Sequence, residues 1–168
     1  MNKSGLLLTI LMIEIGLLTL LSGSAIYRSL EKTPEEKENE QIYALIEELH
    51  QANIEGNTPS EANFHAFLNR DLNTYFQKNY KGSHTTYELL KNEATQVGVG
   101  YPHFYVWVKV FHGNSIITQG AIRLNAMDKT DFYVTHFVST SQIMSNPKII
   151  ESILPPSTWD KAWHKAGF

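Results

Sequence analysis

The chain has 168 residues, of which 42% are hydrophobic and 18% charged, with no cysteine and a formal net charge of −3. That length holds one compact domain whose core needs no metal or disulfide staple. The missing cysteines exclude a disulfide scaffold, a thiolate metal centre and a thiol nucleophile, and the slightly acidic balance carries no nucleic-acid footprint.

The N-terminal end is the least ordinary part. Leu6 to Leu21 reads LLLTILMIEIGLLTLL, and residues 5–27 are long enough to span a bilayer core as a helix. Two readings stay open. One is a cleaved secretory signal, with Lys3 ahead of an apolar core and Gly23-Ser24-Ala25 as the small-residue cleavage site. The other is a permanent single-pass anchor, favoured by the length of the run and by Glu14. A carboxyl at the bilayer centre costs roughly 2.5–3.5 kcal/mol. That cost has no purpose in a discarded peptide, but it is useful where the carboxyl meets a polar group on a neighbouring helix. Glu14 is therefore a candidate binding residue, directed at a membrane-protein partner.

The positive-inside count, Lys3 against Arg28, Lys32 and Lys37, does not favour a cytoplasmic N-terminus. A short tail before a first apolar helix nevertheless points the following domain to the extracytoplasmic (periplasmic) side of the inner or plasma membrane. Gly5 followed by the apolar run resembles the start of a type IV pilin. The pilin Glu falls on the fifth residue after the processed Gly, which is Ile10 here, and Glu14 is out of that register.

Residues 28–33 read as a connector, and 34–168 as a single exported domain. Thr33-Pro34-Glu35-Glu36 combines an N-cap Thr, Pro at the first helical position and Glu three residues after the cap. Ile42, Leu45, Ile46 and Leu49 then make one apolar helical face, so the first helix is expected from Pro34 to about Ala52. Glu55-Gly56-Asn57 breaks it. Thr58-Pro59-Ser60-Glu61 repeats the start signal, and Phe64, Leu68, Leu72, Tyr75 and Phe76 carry a second helix from Pro59 to about Lys78. Thr85 with Glu88 gives a third capping box and a short helix, Thr86 to Thr95, burying Tyr87, Leu90 and Ala94.

From Val97 the period changes. Tyr101–Phe111, Ile116–Leu124 and Asp131–Thr140 read as strands, the first two joined by a tight turn at His112-Gly113-Asn114-Ser115. A short strand around Gln96–Gly100 is a fourth candidate. Asn146-Pro147 opens a short helix through Ile153. A last one, Ser157–Ala166, carries Trp159 and Trp163 on one face, with Gly167 as its C-terminal cap. Helices followed by strands imply an α+β domain: three helices packed on a curved antiparallel sheet, behind an N-terminal transmembrane helix. Over residues 34–143 this element order resembles the NTF2-like (cystatin-like roll) superfamily. One membrane helix ahead of such a domain resembles the VirB8-like proteins of type IV secretion. Their longer cytoplasmic tail has no counterpart here, and neither does their Asn-Pro-x-Gly segment, since Asn146-Pro147 runs on into Lys148-Ile149.

Closing the hairpin at Gly113-Asn114 sets Trp107 opposite Gly120, with His136 in the same row. That face, which also carries Tyr105, Phe111, Ile122, Leu124 and Phe132, is the one expected under the helices. Gly120 leaves room, so Trp107 and His136 are candidate binding residues of a small pocket. The competing reading has Trp107 filling the gap and His136 as a satisfied core or edge residue. The seven histidines show no HxH, HExxH or HxxxH spacing, and GxSxG, P-loop and GxGxxG fingerprints are missing. Asp71 and Tyr75, at i and i+4, resemble the acid/base and tyrosine pair of NTF2-like isomerases, or form a surface hydrogen bond. No catalytic set, metal or cofactor is expected. The expected function is a membrane-tethered, non-enzymatic interaction domain, an assembly or regulatory accessory subunit of a cell-envelope complex. It would meet a membrane protein through the apolar helix, with homo-oligomerisation open and no nucleic acid involved. The alternative is a small-molecule-binding or isomerase-like domain using the Trp107/His136 pocket.

Overall fold

The computed structural model describes residues 32–96 and 98–168. The expected membrane segment, residues 1–27, and most of the connector lie outside them. Among the described residues, no helix is long and apolar enough to cross a membrane. Contacts divide the chain after Ile46. The described part before that point belongs to the first helix, and residues 47–168 contain the sheet.

Helix α1 (Pro34–Asn57) starts as its sequence dictates. The Thr33 backbone N–H donates to Glu36 Oε2 at 2.7 Å, and the Glu36 N–H donates to Thr33 Oγ1 at 3.2 Å. The helix runs through Gly56, past its expected end. A glycine there costs only about 1 kcal/mol, and the Asn57 amide donates back to the Asn53 carbonyl at 2.9 Å. None of its residues is buried. Helix α2 (Glu61–Tyr80) starts later than expected. Ser60 is the N-cap residue but makes no side-chain capping bond. The hydroxyl of Thr58, expected to cap, is buried without a partner. Leu68, Leu72 and Phe76 at i, i+4 and i+8 form the buried stripe of α2.

The largest departure is at residues 84–89. The expected third helix is instead strand β1 (His84–Leu89), and the sheet has four strands rather than three. Thr85, Tyr87 and Leu89 turn inward while His84, Thr86 and Glu88 stay exposed, the period of a strand. Partners distant in sequence decide it. Asn73 Oδ1 on α2 accepts both the Thr85 N–H, at 2.7 Å, and the Thr85 hydroxyl, at 3.0 Å. Glu88, expected as a capping residue, is held instead by Lys161 and Lys165 at 2.9 and 2.5 Å. The described residues of the expected strand at 96–100 form none; next to them, Thr95 and His103 form an isolated bridge.

Strands β2 (His103–His112), β3 (Ser115–Met127) and β4 (Asp131–Ser139) complete an antiparallel sheet of order β1-β2-β3-β4. The hairpin closes as expected, with His112 opposite Ser115 and Gly113 at φ 59°. A β-bulge between Val110 and Phe111 then shifts the register by one residue. Trp107 therefore faces Ala121, and Gly120 faces Val108. The expected pairing of Trp107 with Gly120 fails for that reason.

The same bulge corrects the assignment of faces. Phe104, Val106, Val108 and Val110 lie with Ile122, Leu124 and Phe132 under the α2 stripe. Tyr105 and Trp107 lie on the other side, with Ala121 and Val138. Around Trp107 that side is not open. It is covered by Ile143, Ile150, Leu154, Ala162 and Ala166 from the C-terminal segment. The segment comprises α3 (Thr140–Ser145), 3-10 helices at Pro147–Ser152 and Pro156–Thr158, and α4 (Trp159–Ala166). Helix α3, not expected from the sequence, starts with a Ser139–Gln142 capping box. The Trp159 and Trp163 indoles donate to the Leu154 and Pro147 carbonyls at 2.9 and 3.1 Å, bracing the segment internally.

Two substitutions test this packing in urea titrations. Trp107 is 3% exposed, so Trp107→Ala should cost about 3–5 kcal/mol through the cavity it leaves. A Cβ added at Gly120 would lie 2.1 Å from the Val138 carbonyl oxygen, so Gly120→Ala should cost at least about 2 kcal/mol. A Gly120→Ala protein as stable as the parent would refute the close approach of β3 and β4.

Candidate functional site

Glu14 lies outside the described residues. Trp107 is interior, touching a shallow hollow of about 170 Å³ that Thr86, Glu88, Lys109 and Lys165 also line. His136 is exposed on β4. It shares a face with Trp107 but not a row. Trp107 sits in the row Glu88–Trp107–Ala121–Val138, and His136 in the adjoining row Tyr105–Arg123–His136. The space expected at Gly120 is filled by the β4 backbone. Asp71 accepts from Arg70 Nε at 2.7 Å and from the Phe132 N–H at 2.8 Å. Its carboxylate ties α2 to the start of β4 and makes no hydrogen bond to Tyr75.

The row that holds His136 has chemistry of its own. A second β-bulge, between Arg123 and Leu124, leaves Thr135 as the extra residue of β4. Arg123 Nε donates to Thr135 Oγ1 at 3.2 Å, and Arg123 Nη2 donates to His136 Nδ1 at 2.8 Å. Because the guanidinium can only donate, His136 Nδ1 is the acceptor and the ring proton sits on Nε2. In the next row, His103 Nδ1 is 2.7 Å from Asn125 Oδ1. Burial lowers the pKa of His136 below the ordinary histidine value, and the Arg123 charge lowers it further. Burial is also the main cause for His103, opposed by Asn125 and reinforced by Arg123 and His136. Sequence reasoning singled out His136 but missed Arg123 and His103, because their placement follows from two bulges that hydrophobic periodicity does not encode.

Two apolar features lie elsewhere. Within residues 47–168, a groove of about 760 Å³ has Ile54, Phe64, Leu89 and Phe104 on its walls and Glu47, Glu61, Glu93 and Lys91 along its rim. The reading of 86–95 as helix concealed it. On α1, the side chains of Ile42, Leu45, Ile46 and Leu49 are 41–60% exposed, and Tyr43 is 72% exposed. The amphipathic pattern was legible in the sequence; its being open was not. Among the described residues, no group of three or more His, Asp or Glu side chains is placed to hold a metal ion.

Comparison of the chain with protein-family models, with curated proteins and with solved structures finds no significant match.

The two histidines give the fold a pH dependence of known sign. Both are harder to protonate when folded, so the unfolded chain binds more protons just below its own histidine value of about 6.5. Their contribution is complete above that value and declines as pH falls below it. Urea midpoints measured from pH 7.5 to 5 should fall, and His103→Gln with His136→Gln should flatten that slope. Glu88 acts in a lower window. The Lys165 and Lys161 ammonium groups hold its pKa at about 2, so its contribution is present above the usual carboxylate range and is lost as pH drops toward that value. As a largely exposed contact, it contributes no more than about 1 kcal/mol.

Proposed function

We propose that the chain is a single-pass membrane protein whose extracytoplasmic (periplasmic) domain is a non-enzymatic interaction module. It would serve as an assembly or regulatory accessory subunit of a cell-envelope complex. The observation that carries this reading is the open apolar stripe of α1, which follows shortly after the apolar run of residues 6–21. A helix that buries none of its own residues needs a partner to cover that stripe. Full burial of one Leu or Ile side chain contributes about 1.5–3 kcal/mol. About half of that surface is still open on four residues, so covering it would add about 3–6 kcal/mol. An interhelical contact of Glu14 within the bilayer would add about 0.6–2 kcal/mol. Together these suit a reversible assembly contact. The same proposal takes the domain as NTF2-like with a VirB8-like layout, on the strength of element order: long helices, then an antiparallel sheet, then short helices. A second reading, a small-molecule-binding domain of that type, draws on the 760 Å³ groove.

A reporter fused after Phe168 should be active on the outer side and sediment with membranes. Recovery of a soluble domain lacking residues 1–25 would end the anchor reading. The stripe is tested by Leu45→Ser with Leu49→Ser. The pair should leave the urea midpoint within about 0.5 kcal/mol, as exposed positions do, while lowering recovery of the co-purifying partner from detergent-solubilised membranes. Glu14→Leu should preserve insertion and weaken that recovery several-fold, and Glu14→Gln should retain most of it. Unchanged recovery in all three variants, at matched expression, would overturn the proposal.

A further inference from the structure

The net acidity of the protein belongs to one helix. Seven glutamates and one lysine lie between Pro34 and Asn57, while the rest of the chain has thirteen Lys and Arg against ten Asp and Glu. The helix dipole accounts for Glu35 and Glu36, which stand in the first turn of α1. It does not account for Glu47, Glu48 and Glu55. Glu55 lies in the last turn, at the negative end of the dipole, and that turn holds no basic residue. Pairing along the helix does not account for these three either, since none has a Lys or Arg three or four residues away.

The acid is laid out along the open apolar stripe. Glu38 precedes Ile42 by four residues and Leu45 by seven, and Glu35 precedes Ile42 by seven, so both continue the face of the stripe toward the helix start. Glu48 follows Leu45 by three residues and Glu55 follows Ala52 by three, so both stand along one border. All four are exposed. This layout decides what can cover the stripe. A second α1, meeting it stripe to stripe, would bring acid against acid, and like charges across a contact are destabilising. A lipid surface is equally unsuited. Helices that lie in the bilayer interface carry Lys and Arg on their polar face and bind through attraction to anionic headgroups, which repel this one. A helix with a matching apolar stripe bordered by Lys or Arg satisfies both features at once.

We propose that α1 docks a basic amphipathic helix of a partner protein. The Ile42, Leu45, Ile46 and Leu49 side chains take the apolar face of that helix, and Glu35, Glu38, Glu48 and Glu55 pair with its Lys or Arg. The proposal rests on the reading of the stripe as a partner surface and adds the chemistry of the partner.

The test uses the full-length protein in its native membranes, with a photo-reactive phenylalanine analogue in place of Tyr43, which is 72% exposed beside the stripe. Mass spectrometry of the captured product reads the contacting segment. The expected segment belongs to another protein, has apolar residues at helical spacing and carries a net positive charge. Glu35→Gln, Glu38→Gln, Glu48→Gln and Glu55→Gln, combined, should lower recovery of that protein at least about tenfold, the consequence of losing about 1.4 kcal/mol or more. Gln matches Glu in helix propensity, so the variant keeps its helix. Raising the salt from about 0.1 M to about 1 M shortens the screening length from about 10 Å to about 3 Å and should lower recovery of the parent complex several-fold. Glu93→Gln, Asp128→Asn, Glu151→Gln and Asp160→Asn, combined, remove as much charge from other exposed positions and should change recovery less than twofold. Capture of a second copy, read from a mixture of light and heavy chains, overturns the proposal, and so does capture of lipid or of a segment without net positive charge. It is also overturned if the control set weakens recovery as much as the α1 set. If the α1 set changes nothing while Leu45→Ser with Leu49→Ser lowers recovery, the charge pairing falls and the stripe reading stands. If neither set lowers recovery, or nothing is captured, both fall.

Discussion

Strand β2 has no solvent side over most of its length, and the rest of the domain is arranged around that constraint. Val106, Val108 and Val110 are fully buried against α2, while Tyr105 and Trp107 are buried against the C-terminal segment. One strand therefore forms a wall of two separate apolar clusters. Strand β3 repeats this, with Ile122 and Leu124 on the α2 side and Ala121 on the other. Antiparallel sheets commonly leave one face wet. Here both faces are packed, and each requires its own cover, α2 on one and a run of short helices on the other.

Two bulges decide what each face presents. The one at Val110/Phe111 turns the hairpin register by one residue, and with it every side chain of β3 relative to β2. Without it, Gly120 would oppose Trp107. With it, Gly120 meets the β4 backbone, where no other residue fits. The one at Arg123/Leu124 does the same between β3 and β4, and leaves Arg123, Thr135 and His136 within hydrogen-bonding reach of one another. Packing and surface chemistry thus share one cause, a pair of single-residue insertions in otherwise regular ladders.

Much of the fold was legible. The Thr33 capping box, the stripe of α2, the hairpin at Gly113, the three-strand meander and the C-terminal Trp pair all rest on local signals, and local interactions realise them. The segment from His84 to Leu89 was misread because Thr-x-x-Glu is equally a capping box and a strand edge. What decides between them is Asn73 on one side and Lys161 with Lys165 on the other, far away in sequence. The run YPHFYVWVKVF named a strand but not its faces, since a strand buried on both sides has no polar alternation to read. Of the three candidate site residues, Trp107 and His136 are placed on one face in neighbouring rows, and Glu14 lies outside the described residues.

The cover over Trp107 comes later in the chain than the sheet it protects. Strand β2 ends at His112, and the apolar side chains that close over it run from Ile143 to Ala166. A ribosome adding ~5–20 residues per second needs roughly 3–10 s to make the intervening and covering residues. Once β4 is made, the α2 side can already be packed, because α2 and the strands it covers all precede the C-terminal segment in the chain. The Trp107 side stays bare. The nascent chain is thus a half-closed sandwich with one aromatic face open to whatever is nearby, and the requirement for protection during synthesis falls on one side of the sheet alone.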